Sequence, residues 1–229
     1  MNQLAASGAA AHIVVADTSA ETLSDRDHHH LSRVLRLRPG TLVSLGDGAG
    51  NWRLVRLGRG AAMEPAGNAE TVPRPSSLLT VGFALTKGDK PDLVVQKLTE
   101  IGIDEIAVFS ARRSVVQWES DRVTPSLERQ RRVAEAAVAQ CRRPWSPTVS
   151  YHSSAAELAA RSGVVKADIG GRYVTPSDCV ILVGPEGGWD AADRLDEMPS
   201  VGLAENVLRA ETAAIAGGLS LVTARRFLA

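Results

Sequence analysis

The chain has 229 residues, 44% of them hydrophobic, enough for a packed core in one large domain or two small ones. No apolar run approaches the ~18 residues of a membrane span, and the start, MNQLAASGAAAHIVV, lacks the basic region of a secretory signal, so a cytoplasmic protein without a membrane partner is expected. Cys141 and Cys179 show no CxxC spacing, which argues against a disulfide framework or a zinc site and leaves two ordinary buried thiols.

Formal net charge is zero, yet 22 of the 26 basic residues are arginine and they cluster. Between His28 and Gly60 six arginines face one acid, and between Arg112 and Arg143 eight face four. The guanidinium fork matches phosphate and stacks on bases, so these zones point to RNA or DNA; the alternative is compositional bias on solvated faces.

In chain order, residues 12–16 read as a strand and 27–35 as a short helix. Residues 41–45 and 52–57 read as an antiparallel hairpin around a Gly/Asp/Asn turn, within a small barrel or sheet. The segment TVPRPSS, residues 71–77, is a linker candidate that divides the chain into domains 1–74 and 75–229. Strand 78–85, a helix with Pro91 in its first turn that ends at Gly102, and strand 105–111 then make a β-α-β unit. A helix over 125–141 stops before Pro144; strand 148–152 and helix 155–162 follow. Strand 180–183, a helix over 191–198 capped by Asp190, strand 201–203 and a helix to Arg226 complete a mostly parallel α/β sheet; no element is assigned between Gly163 and Cys179.

The strand VILV, residues 180–183, runs into Gly184-Pro185-Glu186-Gly187-Gly188. Ligands of open α/β sheets bind beyond the carboxyl ends of the strands, where this loop must lie, and glycines let a ligand reach the backbone. The loop matches neither GxGxxG nor GxxxxGK[ST], and Glu186 repels a polyanion, so the ligand is neutral or cationic. A tight connection without a ligand is the plain alternative. A second irregular stretch, VGLAENVLRAETAAIAGG at 201–218, brings Arg209, Glu211 and Thr212 to the start of the last helix, so that two strand-end loops enclose one pocket. Ala213, Ala214, Gly217 and Gly218 let that helix pack closely on the sheet or on a partner subunit, and Arg225 and Arg226 complement its dipole.

LVGPEGGW followed by VGLAENVLRAETAAIAG resembles the ribosomal RNA small-subunit methyltransferase E family, uridine-N3 methyltransferases of the SPOUT superfamily. HHHLSRVLRLRPG with LGDGAG is similar to that family's amino-terminal RNA-binding domain, and LTKGDKPDLVVQKLTEIGIDEI and AQCRRPWSPTV to its central segments, in order over nearly the whole chain. One departure is Ala139-Gln140-Cys141-Arg142-Arg143, where the family usually has a glutamate before the glutamine and a glycine before the second arginine.

The resemblance implies a PUA-like β-barrel, then a SPOUT-type parallel sheet with a carboxyl-terminal trefoil knot, a homodimer, S-adenosylmethionine as cofactor and 16S ribosomal RNA of the small subunit as partner. By position, Leu182, Gly184, Glu186, Gly187, Gly188, Leu203, Asn206, Val207, Leu208 and Arg209 would hold the cofactor. The candidate catalytic residues are Arg209, Glu211 and Arg143, with Arg209 stabilising the anion that develops on the uracil, or else pairing with Glu211 or Glu186 to hold the pocket. Arg33, Arg36, Arg38, Arg53, Arg56, Arg112 and Arg113 are the RNA-contact candidates. The adjacent His28, His29 and His30 point too far apart on a helix to chelate one ion, so no metal is expected. Open alternatives are a SPOUT methyltransferase for another RNA position, a non-catalytic RNA-binding adaptor, and a nucleotide-dependent enzyme with an unusual phosphate loop.

Overall fold

A computed structural model describes residues 3–193 and 195–226. The chain forms two compact units: one runs through Pro75 and also takes in Glu135–Ser146, a stretch the sequence reading gave to the second domain, and the other comprises Ser76–Ala134 and the chain from Pro147 on.

The first unit holds β1 (His12–Val14), α1 (Asp25–His29) continued by a π-helical turn (His30–Val34), β2 (Leu42–Gly46), β3 (Asn51–Leu57), β4 (Met63–Pro65) and β5 (Glu70–Thr71). Its sheet runs β1-β2-β3-β4 with β5 beside β3. The β2–β3 hairpin pairs antiparallel with Val43 opposite Val55. Asp47 fixes its turn, accepting from the backbone N–H of Ala49 at 2.7 Å and of Asn51 at 3.0 Å. Ile13, Leu23, Leu31, Val43, Leu45, Val55, Leu57 and Met63 form the core.

His12 is buried beside this core, 6% exposed, with Nδ1 3.0 Å from Ser44 Oγ. Burial is the main reason its pKa falls to about 4; nearby Arg142 adds to the effect and the Ser44 bond opposes it. As pH drops below 6.5 the unfolded chain takes up a proton that the folded chain refuses until about pH 4. Stability is therefore expected to fall across that window by about 3 kcal/mol. Denaturant melts at stepped pH check this; His12→Asn should show no such slope.

Among the described residues, two non-glycine residues carry a positive φ, Arg36 at 53° and Arg142 at 55°. Each follows a helix end at which a backbone hydrogen bond reverses the chain, a 7→1 bond from Leu37 N–H to Leu31 O at 2.9 Å after the π-helical turn and a 6→1 bond from Arg143 N–H to Val138 O at 3.2 Å. Arg142 thus occupies the left-handed position at which the resembling family has glycine. Arg36→Gly should raise stability by about 1 kcal/mol by relieving this conformation, measured as a higher unfolding midpoint.

The second unit is built on six strands ordered β11-β9-β10-β6-β7-β8. These are β6 (Thr80–Ala84), β7 (Glu105–Phe109), β8 (Thr148–His152), β9 (Val164–Arg172), β10 (Val180–Val183) and β11 (Ser200–Val201), and every pairing is parallel. Helices α2 (Lys90–Ile101), α3 (Ser120–Cys141), α4 (Ala156–Ala159) and α5 (Ala210–Arg225) accompany them. β6 and β10, central in the sheet, are buried along their whole length, as an apolar run covered on both faces should be. Gly102, with φ at 107°, ends α2 in the left-handed conformation.

Several elements differ from the sequence reading. β9 falls where the sequence predicts no element and lies between β10 and β11. Of the helix expected over 191–198, the described residues show a single 3-10 turn, Ala191–Asp193; Arg194 lies outside the described residues. There Asp190 Oδ1 accepts from Ala192 N–H at 3.0 Å and Asp193 Oδ2 from Asp190 N–H at 2.9 Å, and such side-chain bonds compete with the helical ladder. α3 starts at Ser120 and carries Pro125 inside it. α4 is shorter than expected, and Leu203 lies beyond β11. α5 packs on the sheet and on α2: a Cβ on Gly217 would meet Ile181 at 3.2 Å and one on Gly218 would meet Leu98 at 2.5 Å. Arg225 does more than face a dipole, since its Nη1 lies 3.0 Å from buried Asp104 Oδ2; Arg226 caps the helix. Cys141 and Cys179 are only partly buried, short of the full burial expected.

Candidate active site

All six strands of the parallel sheet point one way, so the loops after β10 and β11 emerge at the same rim. Between them lies a cavity of about 480 Å³ lined by Gly184, Glu186 and Gly188 from the first loop and Leu203, Asn206, Val207 and Leu208 from the second. The sequence reading missed part of its wall: Lys166, Ala167, Asp168 and Ile169 from β9, together with Trp189 and Asp196. β9 mixes Lys, Asp and two glycines with its apolar residues, so neither a period of two nor a continuous apolar run announces it.

The glycines of the 184–188 loop serve three different ends. A Cβ on Gly184 would strike the Trp189 ring at 2.9 Å. Trp189 in turn stacks on Phe109, centroids 6.0 Å apart, and donates from Nε1 to Ala167 O at 3.3 Å, fastening the loop to β9. Gly187 does not line the cavity; a Cβ there would press on Arg113 at 3.1 Å. Arg113 clasps the loop from that side, donating to Gly187 O at 3.3 Å and pairing with Asp190 at 3.1 Å. Gly188 adopts φ 75° with open space where a side chain would be, leaving the backbone accessible from the cavity. Leu182 is fully buried beneath the loop and supports it without lining the cavity.

Electrostatics favour a cation. Among the described residues, Asp168, Glu186 and Asp196 line the cavity with one basic residue, Lys166. Just beside it, Lys90 at the start of α2 bridges two carboxylates, 3.1 Å from Glu211 Oε1 and 3.7 Å from Glu186 Oε1. Burial would raise the Glu211 pKa, but its own backbone N–H, Lys90 and nearby Arg209 outweigh that and hold it below the usual carboxylate range. The ion pair expected between Arg209 and Glu211 or Glu186 is thus replaced: Lys90 takes both acids. Arg209 stays exposed as the residue preceding α5 and makes no side-chain capping bond.

Arg143 belongs to the first unit and follows α3; it is not among the residues lining this cavity. Arg33, Arg36, Arg38, Arg56 and Arg112 are exposed, whereas Arg53 is half-buried with Nε enclosed.

The domain architecture has counterparts among known proteins. A family model described as an RNA methyltransferase domain matches residues 73–221, and one described as an RNA methyltransferase PUA domain matches residues 23–61. Ribosomal RNA small subunit methyltransferase E of Mycobacterium tuberculosis is 31% identical over 237 residues, spanning 91% of this chain and 89% of the relative. The chain belongs to the ribosomal RNA small subunit methyltransferase E family. The Synechocystis member is 27% identical over 84% of this chain and 69% of its own length. Among solved structures, the methyltransferase E of Neisseria gonorrhoeae bound to S-adenosyl methionine superposes with a TM-score of 0.77 at 24% identity, covering 95% of this chain and 97% of that one. A probable rRNA-methyltransferase from Porphyromonas gingivalis gives 0.78 at 23% identity, covering 95% and 99%. These two likenesses establish the fold of the family member described here. Among the described residues, no helix is long and apolar enough to cross a membrane.

Proposed function

We propose that the protein transfers a methyl group from S-adenosylmethionine to N3 of a specific uridine in 16S ribosomal RNA of the small subunit. The observation that carries this reading is the acid-rich, glycine-floored cavity between the loops after β10 and β11, in a chain of this family. Its carboxylates suit a sulfonium cation, and the open backbone at Gly188 suits the edge of an adenine. S-adenosylmethionine, when bound, supplies an electrophilic methyl group on positively charged sulfur. Gly184, Glu186, Gly188, Leu203, Asn206, Val207 and Leu208 seat it, while Leu182 and Gly187 hold the loop in shape.

The protein's own task is to position an imide nitrogen and lower the cost of removing its proton. N3 lies on the pairing edge of uracil, so the base enters unpaired or flipped out. Arg209 stabilises the anion that develops on O2 and O4, and Glu211 is held charged beside it; the family resemblance adds Arg143 as a further catalytic candidate. Arg33, Arg36, Arg38, Arg53, Arg56, Arg112 and Arg113 grip the RNA backbone.

The family resemblance supplies the remaining parts of the proposal: closure of the first unit's sheet into a PUA-like barrel, a trefoil knot near the carboxyl end, a cytoplasmic location and a homodimer. Exposed Ile169, Val207 and Leu219, at 72%, 81% and 57%, are apolar surface that such a dimer would cover. Labelled methyl transfer into ribosomal RNA from a strain lacking the protein, followed by nucleoside identification, tests the reaction. Label in 3-methyluridine is expected. Label in another nucleoside would indicate a different RNA position, and no label, with no heat of S-adenosylmethionine binding, an adaptor.

A further inference from the structure

A second cavity, of about 510 Å³, opens on the same sheet rim. Its walls are Thr86 and Gly88 after β6, Gln117 and Trp118 from the segment between β7 and α3, and Arg122, Ser126 and Gln130 of α3. It adjoins the first cavity through one turn of chain: Lys90 reaches Glu186 and Glu211 on one side, and the next residue, Pro91, lines the second cavity on the other.

Two polar atoms in its walls are orphaned. Gln130 is 2% exposed, and neither its Oε1 nor Thr86 Oγ1 has a hydrogen-bond partner among the described residues. A buried polar atom without a partner is destabilising and calls for an explanation, a functional role being one. The charged residues of the walls balance in number, Asp92 and Glu119 with Arg122 and Arg129, and Arg129 is paired with Asp92 at 2.6 Å. A polyanion gains nothing from such a wall. What remains is hydrogen bonding from an amide and a hydroxyl beside the indole of Trp118, which is braced on Tyr151 with centroids 5.3 Å apart. An uncharged, planar, polar group fits that chemistry, as an unpaired base in RNA recognition does.

We propose that this cavity holds an unpaired nucleobase of the RNA substrate other than the one methylated, bound by Gln130 and Thr86 and flanked by Trp118. The inference rests on the reading of the protein as an RNA methyltransferase. The guest is not the acceptor, because an amide paired to its Watson–Crick edge would cover N3. Its capture would fix the register of the strand while the neighbouring cavity receives the methylated base.

The test uses the full-length protein, small-subunit ribosomal RNA from a strain lacking it, and two near-isosteric variants, Gln130→Met and Thr86→Val. Each is expected to weaken RNA binding, read by filter retention, about tenfold while S-adenosylmethionine affinity stays within about twofold and the unfolding midpoint holds or rises, because an orphaned polar group has been removed. In methyl transfer, KM for RNA should rise with little change in kcat. Unchanged RNA affinity in both variants overturns the inference and leaves an enclosed water as the partner of these atoms. A lower unfolding midpoint with RNA and donor affinity lost together also overturns it, by showing a structural role. Wild-type protein that binds the RNA but transfers no methyl group counts against the proposed function alone.

Discussion

Arg209→Ala is expected to lower methyl transfer by about 10²–10³-fold while leaving S-adenosylmethionine affinity within a few fold. The structure makes this experiment cleaner than the sequence suggests. An arginine beside Glu211 and Glu186 invites a salt-bridge reading, in which its loss would collapse the pocket. Lys90, however, is the cation that holds both carboxylates, at 3.1 and 3.7 Å. Arg209 makes no side-chain cap on α5 and remains exposed. Its removal therefore leaves those ion pairs standing, and a fall in turnover reports on the transition state. Turnover near the wild-type rate would discard the assignment of Arg209.

Affinity for RNA should fall steeply with salt. Of the seven arginines proposed to meet the RNA backbone, Arg33, Arg36, Arg38, Arg56 and Arg112 are exposed. Arg113 is already bound to Asp190 and to the Gly187 carbonyl, and Arg53 is half-buried. Five phosphate contacts on single-stranded RNA correspond to a loss of about 10²-fold in affinity between about 50 and 200 mM salt. Filter retention across that range measures the slope; a flat response would remove these arginines from the interface.

The parts of this fold legible in sequence are those where local chemistry and tertiary context agree. The turn around Asp47, the cap at Gly102 and the apolar run Val180–Val183 each carry their own signal, and all three stand where the sequence places them. β9 carries none, since Lys166, Asp168, Gly170 and Gly171 belong to a strand whose pairing comes from β10 and β11. The helix expected after Asp190 fails because the Asp193 carboxylate accepts from Asp190 N–H, that of Asp190 from Ala192 N–H, and Asp193 also accepts from Arg112 N–H, a partner 81 positions away. The same limit governs the site. The two loops that form the first cavity are visible as glycine and polar interruptions after strands, whereas Lys90, Asp168 and Trp189 join it only through folding. The departure at Arg142, where the resembling family usually has glycine, carries a conformational cost that only its φ of 55° reveals.

The central claim is that the glycine-floored cavity between the loops after β10 and β11 seats the methyl donor. A co-crystal structure with S-adenosylmethionine tests it most directly. The expected result is the donor lying between Gly184–Gly188 and Leu203–Leu208, its sulfonium facing the carboxylate side. Donor bound in a different cavity, with this one empty, would contradict it.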